Sequence, residues 1–182
     1  MFRGEVVSIH ITANAGTPME SPQSAEAVVG RGLEGDRYFI GNGYWSTHPG
    51  RGREVTLIEL EAIEALAQEK QVVIAPAAAR RNIVTRGVPL NHLAGREFQV
   101  GGVRFAGIRL CEPCDYLEGL TTKGVLTGLL HRGGLRAEIV SGGTIHVGDV
   151  IVEVESEERG NSELRIGAEA VTSQRERPSQ LS

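Results

Sequence analysis

The sequence predicts a single β-rich α+β domain, barrel-like, with one amphipathic helix and short accessory helices. Three observations carry this reading. Twenty-four glycines in 182 residues punctuate short runs of β-branched and aromatic residues at hairpin spacing. Only one stretch sustains a helical period, which excludes a doubly wound sheet with a helix after every strand. The composition, 40% hydrophobic and 23% charged, is that of a globular chain long enough for a real core, and it excludes a coiled coil or a wholly disordered polymer.

The elements follow in chain order. Glu5–Ile11 alternates polar and apolar residues and reads as a strand. Gly43–Arg53 is a loop bearing Trp45 and His48, long enough to be functional or mobile. Thr56 and Glu59 have the spacing of a capping box. Leu60, Ile63, Leu66 and Ala67 then share one helical face, and Lys70 complements the dipole at the end. Val72–Ile74 and Asn82–Thr85 are further strand candidates. Phe98–Val100, Gly101-Gly102 and Val103–Phe105 predict a hairpin whose turn needs the positive φ that glycine supplies. Ala137–Ser141, Gly142-Gly143 and Thr144–Val147 predict a second, followed by a last strand over Val150–Glu155. A short helix is expected over Gly124–His131, weakened by its own two glycines. The domain is placed at 1–156. Residues 157–182 are polar and read as a poorly ordered tail, or one that docks on a partner.

Charge and hydropathy exclude several functions. A net charge of −4 argues against a general nucleic-acid binder. No apolar run approaches the ~18–20 residues of a membrane span. The opening MFRGEVVSIHI lacks the ~7–15-residue apolar stretch of a secretory signal, so a cytoplasmic protein without membrane association is expected. The basic residues are unevenly chosen: 17 of 19 are arginine. From Arg31 to Arg136, 12 arginines and 2 lysines face 11 acids, a local excess of positive charge in the residue type that grips phosphate-like oxyanions.

Only two cysteines occur, in Arg109-Leu110-Cys111-Glu112-Pro113-Cys114-Asp115, just beyond a strand. Two thiols cannot build a multi-bridge secreted framework, and they suit a reducing compartment. Three chemistries fit the motif. One is a redox dithiol, which would need a helix starting at the first cysteine. Another is half of a zinc site completed by two of His92, His131 and His146. The third is a single reactive or metal-ligating thiolate, favoured by Arg109 and opposed by Glu112 and Asp115.

Four segments in order, Gly32-Leu33-Glu34-Gly35-Asp36-Arg37, Arg80-Arg81-Asn82-Ile83-Val84-Thr85, the Cys-Glu-Pro-Cys run, and His131–Ala137 leading to Gly143–Asp149, resemble the MOSC domain over about Gly4–Glu155. That domain occurs at the C-terminus of molybdenum cofactor sulfurases and as small stand-alone bacterial proteins. The resemblance implies a β-barrel whose reactive cysteine sits at a cofactor-sized cleft. It implies that the protein binds the molybdenum cofactor (molybdopterin), or carries sulfur as a cysteine persulfide. The family cysteine maps to Cys114, which would also be the metal ligand, with Cys111 second. The polar positions map to Arg81, Asn82, Arg132 and Arg136, joined by Asp36 and Arg37 of the Gly-Asp-Arg turn. Pyridoxal phosphate, attached to the family through its desulfurase domains, is not expected in a chain with two lysines and no room for such a domain. Sulfur would come from a separate cysteine desulfurase and go to a molybdoenzyme, and a reductase role would need separate redox proteins. The rival class is a zinc- or dithiol-based redox protein using both cysteines. Oligomeric state is open.

Truncation after Ser156 removes little apolar surface, so the melting temperature should fall by less than about 4–5 °C in a thermal melt.

Overall fold

The computed structural model of the chain describes residues 2–48 and 50–154. The expected polar tail, 157–182, lies outside the described residues. The first half carries β1 (Arg3–Ile9), β2 (Ser24–Val28), β3 (Gly32–Leu33), α1 (Arg37–Ile40), β4 (Val55–Glu59), α2 (Leu60–Lys70) and β5 (Ile83–Arg86). The second half carries β6 (Glu97–Val100), β7 (Val103–Leu110), α3 (Asp115–Leu120), α4 (Val125–Gly128), β8 (Leu135–Ser141), β9 (Gly143–His146) and β10 (Val150–Glu153).

Seven strands close a barrel in the order β1-β10-β6-β7-β8-β4-β5, and β5 pairs back onto β1. β4 and β5 run parallel, with α2 in the crossover between them. A small sheet of order β3-β2-β9 flanks the barrel.

Alternation along the strands sorts side chains into two cores. Val6, Leu57, Ile83, Phe98, Phe105 and Leu135 fill the barrel. Phe98 and Phe105 are direct cross-strand partners and stack at 5.6 Å between ring centroids. Ile58 and Val84, one residue further along their strands, face outward beneath α2, α3 and α4 and meet Ile63, Leu66, Leu117 and Leu129. β4 is therefore buried on both faces, as its run Val-Thr-Leu-Ile allows.

The hairpin at Gly101-Gly102 forms as its alternation predicts, with Gly101 at φ 54°. Other local signals were overridden by distant partners. Thr56 does not cap a helix: it lies in β4, where its hydroxyl and backbone N–H both donate to Asn82 Oδ1. α2 starts at Leu60, with Glu59 at the N-cap position making no side-chain cap bond; Glu59 Oε1 accepts instead from Leu90 N. Val72–Ile74 is not a strand, because no neighbour offers it a ladder. The second expected hairpin is split. β8 pairs with β7 and β4, whereas β9 leaves the barrel to pair with β2. Gly143, at φ 144°, redirects the chain, and the absence of a Cβ at Gly142 lets it approach Ala27 O. The helix expected over Gly124–His131 is reduced to Val125–Gly128.

Gly134 sits at φ 109°, and a Cβ there would collide with Leu57 O on β4. Gly134→Ala should therefore destabilise the fold by about 3 kcal/mol or more, read as a lowered urea midpoint at unchanged slope.

Candidate functional site

The site grows out of the end of β7. Cys111–Cys114 runs on from the strand without turn or bend and delivers Cys114 to the N-cap position of α3. Three contacts pin this run. Cys111 N–H donates to Gly134 O at 2.7 Å. Gly133 lies so close that a Cβ would stand 2.6 Å from Cys111 O and 2.9 Å from Pro113 Cδ. Arg81 supplies the third: Nε donates to Gly133 O (2.8 Å), Nη2 to Cys111 O (3.0 Å) and Nη1 to Ala79 O (3.3 Å). A planar fork with donors in fixed directions can hold three carbonyls at once, which an ammonium on a flexible stem does poorly.

Beside this frame opens a cleft continuous with solvent. Both cysteines and four arginines, Arg37, Arg80, Arg81 and Arg136, line it, and Glu112 is its one acid. Tyr38, Tyr44, Trp45 and Tyr116 form an aromatic wall. Tyr44 stacks on Tyr116 at 4.0 Å and meets Trp45 edge-on at 4.9 Å, so the Gly43–Arg53 loop closes against α3 at the mouth. Cys111 is 1% exposed and Cys114 half-buried, so Cys114 offers the reachable thiol. Arg109 stands within Coulombic reach of Cys111.

The Gly-Asp-Arg turn has a division of labour. Asp36 does not line the cleft: it is the buried N-cap of α1, accepting from Tyr38 N at 3.1 Å and pairing with Arg37 Nη1 at 3.0 Å. Arg37 reaches the cleft and donates from Nη2 to Arg80 O at 3.2 Å. Arg80, at φ 58°, ends a 3-10 turn and places its side chain in the cleft, where Nη1 donates to Thr17 O at 2.8 Å and buried Nη2 has no partner. Burial, and then the neighbouring Arg37, push the Arg80 guanidinium below its usual basicity. Arg136, on β8 opposite Thr56 of β4 and Arg109 of β7, also lines the cleft, and its buried Nε is likewise unpartnered.

Besides Asp36, two more expected site residues lie off the cleft. Asn82 is 1% exposed and spends its amide on structure: besides the Thr56 bonds, Nδ2 donates to His10 O at 3.2 Å. Arg132 turns away from the cleft, donating from Nε to Gly128 O at 2.8 Å and forking onto Glu69 at 3.2 and 2.6 Å. The histidines named for zinc do not join the thiols. His131 pairs with Glu112 at 3.3 Å, and among the described residues no group of three or more His, Cys, Asp or Glu could hold a metal ion. The two cysteines are free thiols, Cys111 buried and Cys114 half-buried. Sequence reading missed Arg80 and the tyrosines, although the doubled Arg80-Arg81 and the aromatic loop were visible signals.

The family model of the MOSC domain matches residues 45–152. The chain belongs to the MOSC domain family. Solved structures share this MOSC fold. The YuaD protein from Bacillus subtilis superposes with a TM-score of 0.65 at 17% identity, over 83% of this chain and 97% of that one. YiiM from Geobacillus stearothermophilus gives 0.64 at 13% identity over 84% and 75%, and YiiM from Escherichia coli 0.58 at 18% over 86% and 71%. At such identity the likeness shows the fold alone. No curated protein matches the chain. No helix among the described residues is long and apolar enough to cross a membrane.

Because Arg81 satisfies three carbonyls, Arg81→Ala should cost about 3 kcal/mol or more with no ligand present, and Arg81→Lys should recover less than half of it, both by urea unfolding.

Proposed function

We propose that the cleft binds the molybdenum cofactor, or a sulfur atom bound for it, through Cys114. The single observation that carries this is the meeting of one reachable thiol with Arg37, Arg80 and Arg136 in the lining of one cleft. The donor set fits such a group. One thiolate is a single soft ligand, so a metal held here would bring its other ligands with it, as a dithiolene-bearing pterin does. The pterin ends in a phosphate, which suits the cationic forks of Arg37, Arg80 and Arg136. When bound, the cofactor would supply two-electron redox and oxygen- or sulfur-atom transfer at molybdenum.

In this reading each residue has a defined task. Cys114 ligates, or carries sulfur. Arg80 and Arg136 offer their guanidinium charge to the anion, and Asp36 holds Arg37 in position for it. Tyr44, Trp45 and Tyr116 shield the thiol from bulk water. Arg81 and Cys111 form the floor. As a carrier, the Cys114 thiolate attacks the terminal sulfur of a desulfurase persulfide. The donor's S–S bond breaks, the donor leaves as thiolate, and Cys114 keeps the sulfane sulfur as its own persulfide.

Protein purified from a cofactor-competent host should carry molybdenum and pterin, or gain one sulfur in mass after incubation with a desulfurase and cysteine. Cys114→Ser should lose these signals, and Cys111→Ser should keep most of them. Equal loss in both variants would replace the single-thiol reading with a shared dithiol, and stoichiometric zinc would favour the metal-thiolate alternative.

A further inference from the structure

Between β1 and β2 the chain makes an excursion that reaches the cleft. Its neck closes where Ile11 N–H donates to Glu20 O at 3.1 Å and Glu20 N–H donates to Ile11 O at 2.8 Å. Inside the loop the Thr12 and Thr17 hydroxyls meet at 2.7 Å, and Thr17 Oγ1 donates to Asn14 O at 2.9 Å. The exposed tip rests on cleft residues. Thr17 O accepts from Arg80 Nη1 at 2.8 Å, and a Cβ at Gly16 would stand 3.7 Å from the Tyr116 hydroxyl. Arg80 and Tyr116 both line the cleft. A compact loop with joined ends packs on itself and opens as a unit from its neck.

A buried histidine holds that neck. His10 is 3% exposed. Its Nε2 shares a hydrogen bond with Ser8 Oγ at 2.8 Å, and its Nδ1 shares one with Ser21 Oγ at 2.9 Å. Ser8 lies on β1 and Ser21 follows Glu20, so the ring clasps both ends of the loop. The His10 backbone is fixed as well: its N–H donates to Asn82 O at 2.7 Å, and its carbonyl accepts from Asn82 Nδ2. A neutral imidazole has one donor and one acceptor, so one serine hydroxyl accepts from the ring and the other donates to it. A second proton makes both nitrogens donors, removes that acceptor and puts a charge into a buried site. Burial accordingly pushes the ring below its ordinary basicity. The charged groups on the elements around it are Glu20 at the neck, Asp36 and Arg37 of the Gly-Asp-Arg turn, and Arg80 and Arg81 just before Asn82. Among the described residues none of these side chains bonds to the ring. Glu20 is exposed, Asp36 pairs with Arg37, Arg80 donates to Thr17 O and Arg81 is held by three carbonyls.

We propose that His10 is an acid-operated latch: a proton on its ring releases the neck of the 11–20 loop, lets Thr17 leave Arg80 and so opens one side of the cleft. The neutral ring belongs to the latched state. Its contribution to stability is present above about pH 6.5, where a free histidine titrates, and is lost as the pH falls below that value. The latch stands on the loop and the ring, and is independent of what the cleft binds.

Hydrogen–deuterium exchange of the full chain at about pH 7.5 and about pH 5.5, corrected for the intrinsic pH dependence of exchange, tests it. In the wild type, residues 11–20 should exchange at least about fivefold faster at the lower pH, measured against the Gly101-Gly102 hairpin. His10→Gln, neutral at both values, should change by less than about twofold. Ser21→Ala, a change at an exposed residue, should speed the loop already at the higher pH. Circular dichroism melts check that each variant folds. Should His10→Gln fail to fold, Ser21→Ala and an NMR titration of the His10 ring, expected below the ordinary histidine value, carry the test. A wild-type loop indifferent to pH would overturn the latch, as would a change equally large in His10→Gln or no effect of Ser21→Ala. So would a His10 ring that titrates at or above the ordinary value.

Discussion

The buried guanidinium of Arg81 is the interaction on which the cleft depends. It gathers the carbonyls of Ala79, Cys111 and Gly133 from three separate segments: the 3-10 turn before β5, the run after β7 and the approach to β8. No carboxylate neutralises it among the described residues; the positive charge is spread over carbonyl dipoles in a plane. Glycine at 133 and 134 makes this possible, because any side chain there would push Cys111 and Pro113, or β4, out of reach. The thiol of Cys114 is thus placed by a frame it does not itself belong to.

Charge is segregated by the same frame. Glutamates pair with Arg86, Arg96 and Arg104 on the outer surface, where exposed pairs add little stability. Around the cleft Arg37 pairs with the buried carboxylate of Asp36, and Arg80 donates to the carbonyl of Thr17. Such an arrangement costs folding free energy, and it is retained in a chain whose overall charge is negative. The cost is understandable when a ligand repays it on binding, since an anion held by guanidinium forks in a half-buried site meets stronger fields than it would in water.

The aromatic mouth is built from a loop packed against the barrel scaffold. A MOSC barrel closed by seven strands has no free edge at the site, whereas the described residues between α1 and β4 form neither helix nor strand. Tyr44 holds that loop to α3 by stacking on Tyr116, next to the cysteine-bearing N-terminus of the helix. Access to the thiol and the position of Arg53, which closes the same loop, are therefore linked through one stretch of chain.

Alternation and glycine spacing determined the barrel class, the strand that precedes the cysteines and the hairpin at Gly101-Gly102, because each of these is written in contacts between near neighbours in the chain. The resemblance in four ordered segments determined the family. Tertiary structure decided what local pattern cannot encode, the identity of distant partners. Thr56 and Glu59 have a capping-box spacing, yet Asn82, twenty-six residues on, claims Thr56 for β4. The stretch after Gly142 alternates like the return strand of a hairpin, yet β2 captures it from the other end of the domain. Arg132 and Arg136 stand one helical turn apart in one segment and look alike in sequence. Glu69 draws the first to the outer surface, while pairing with β4 and β7 turns the second to the cleft. Which arginine serves the site is settled by the carboxylate or strand that each one finds across the fold.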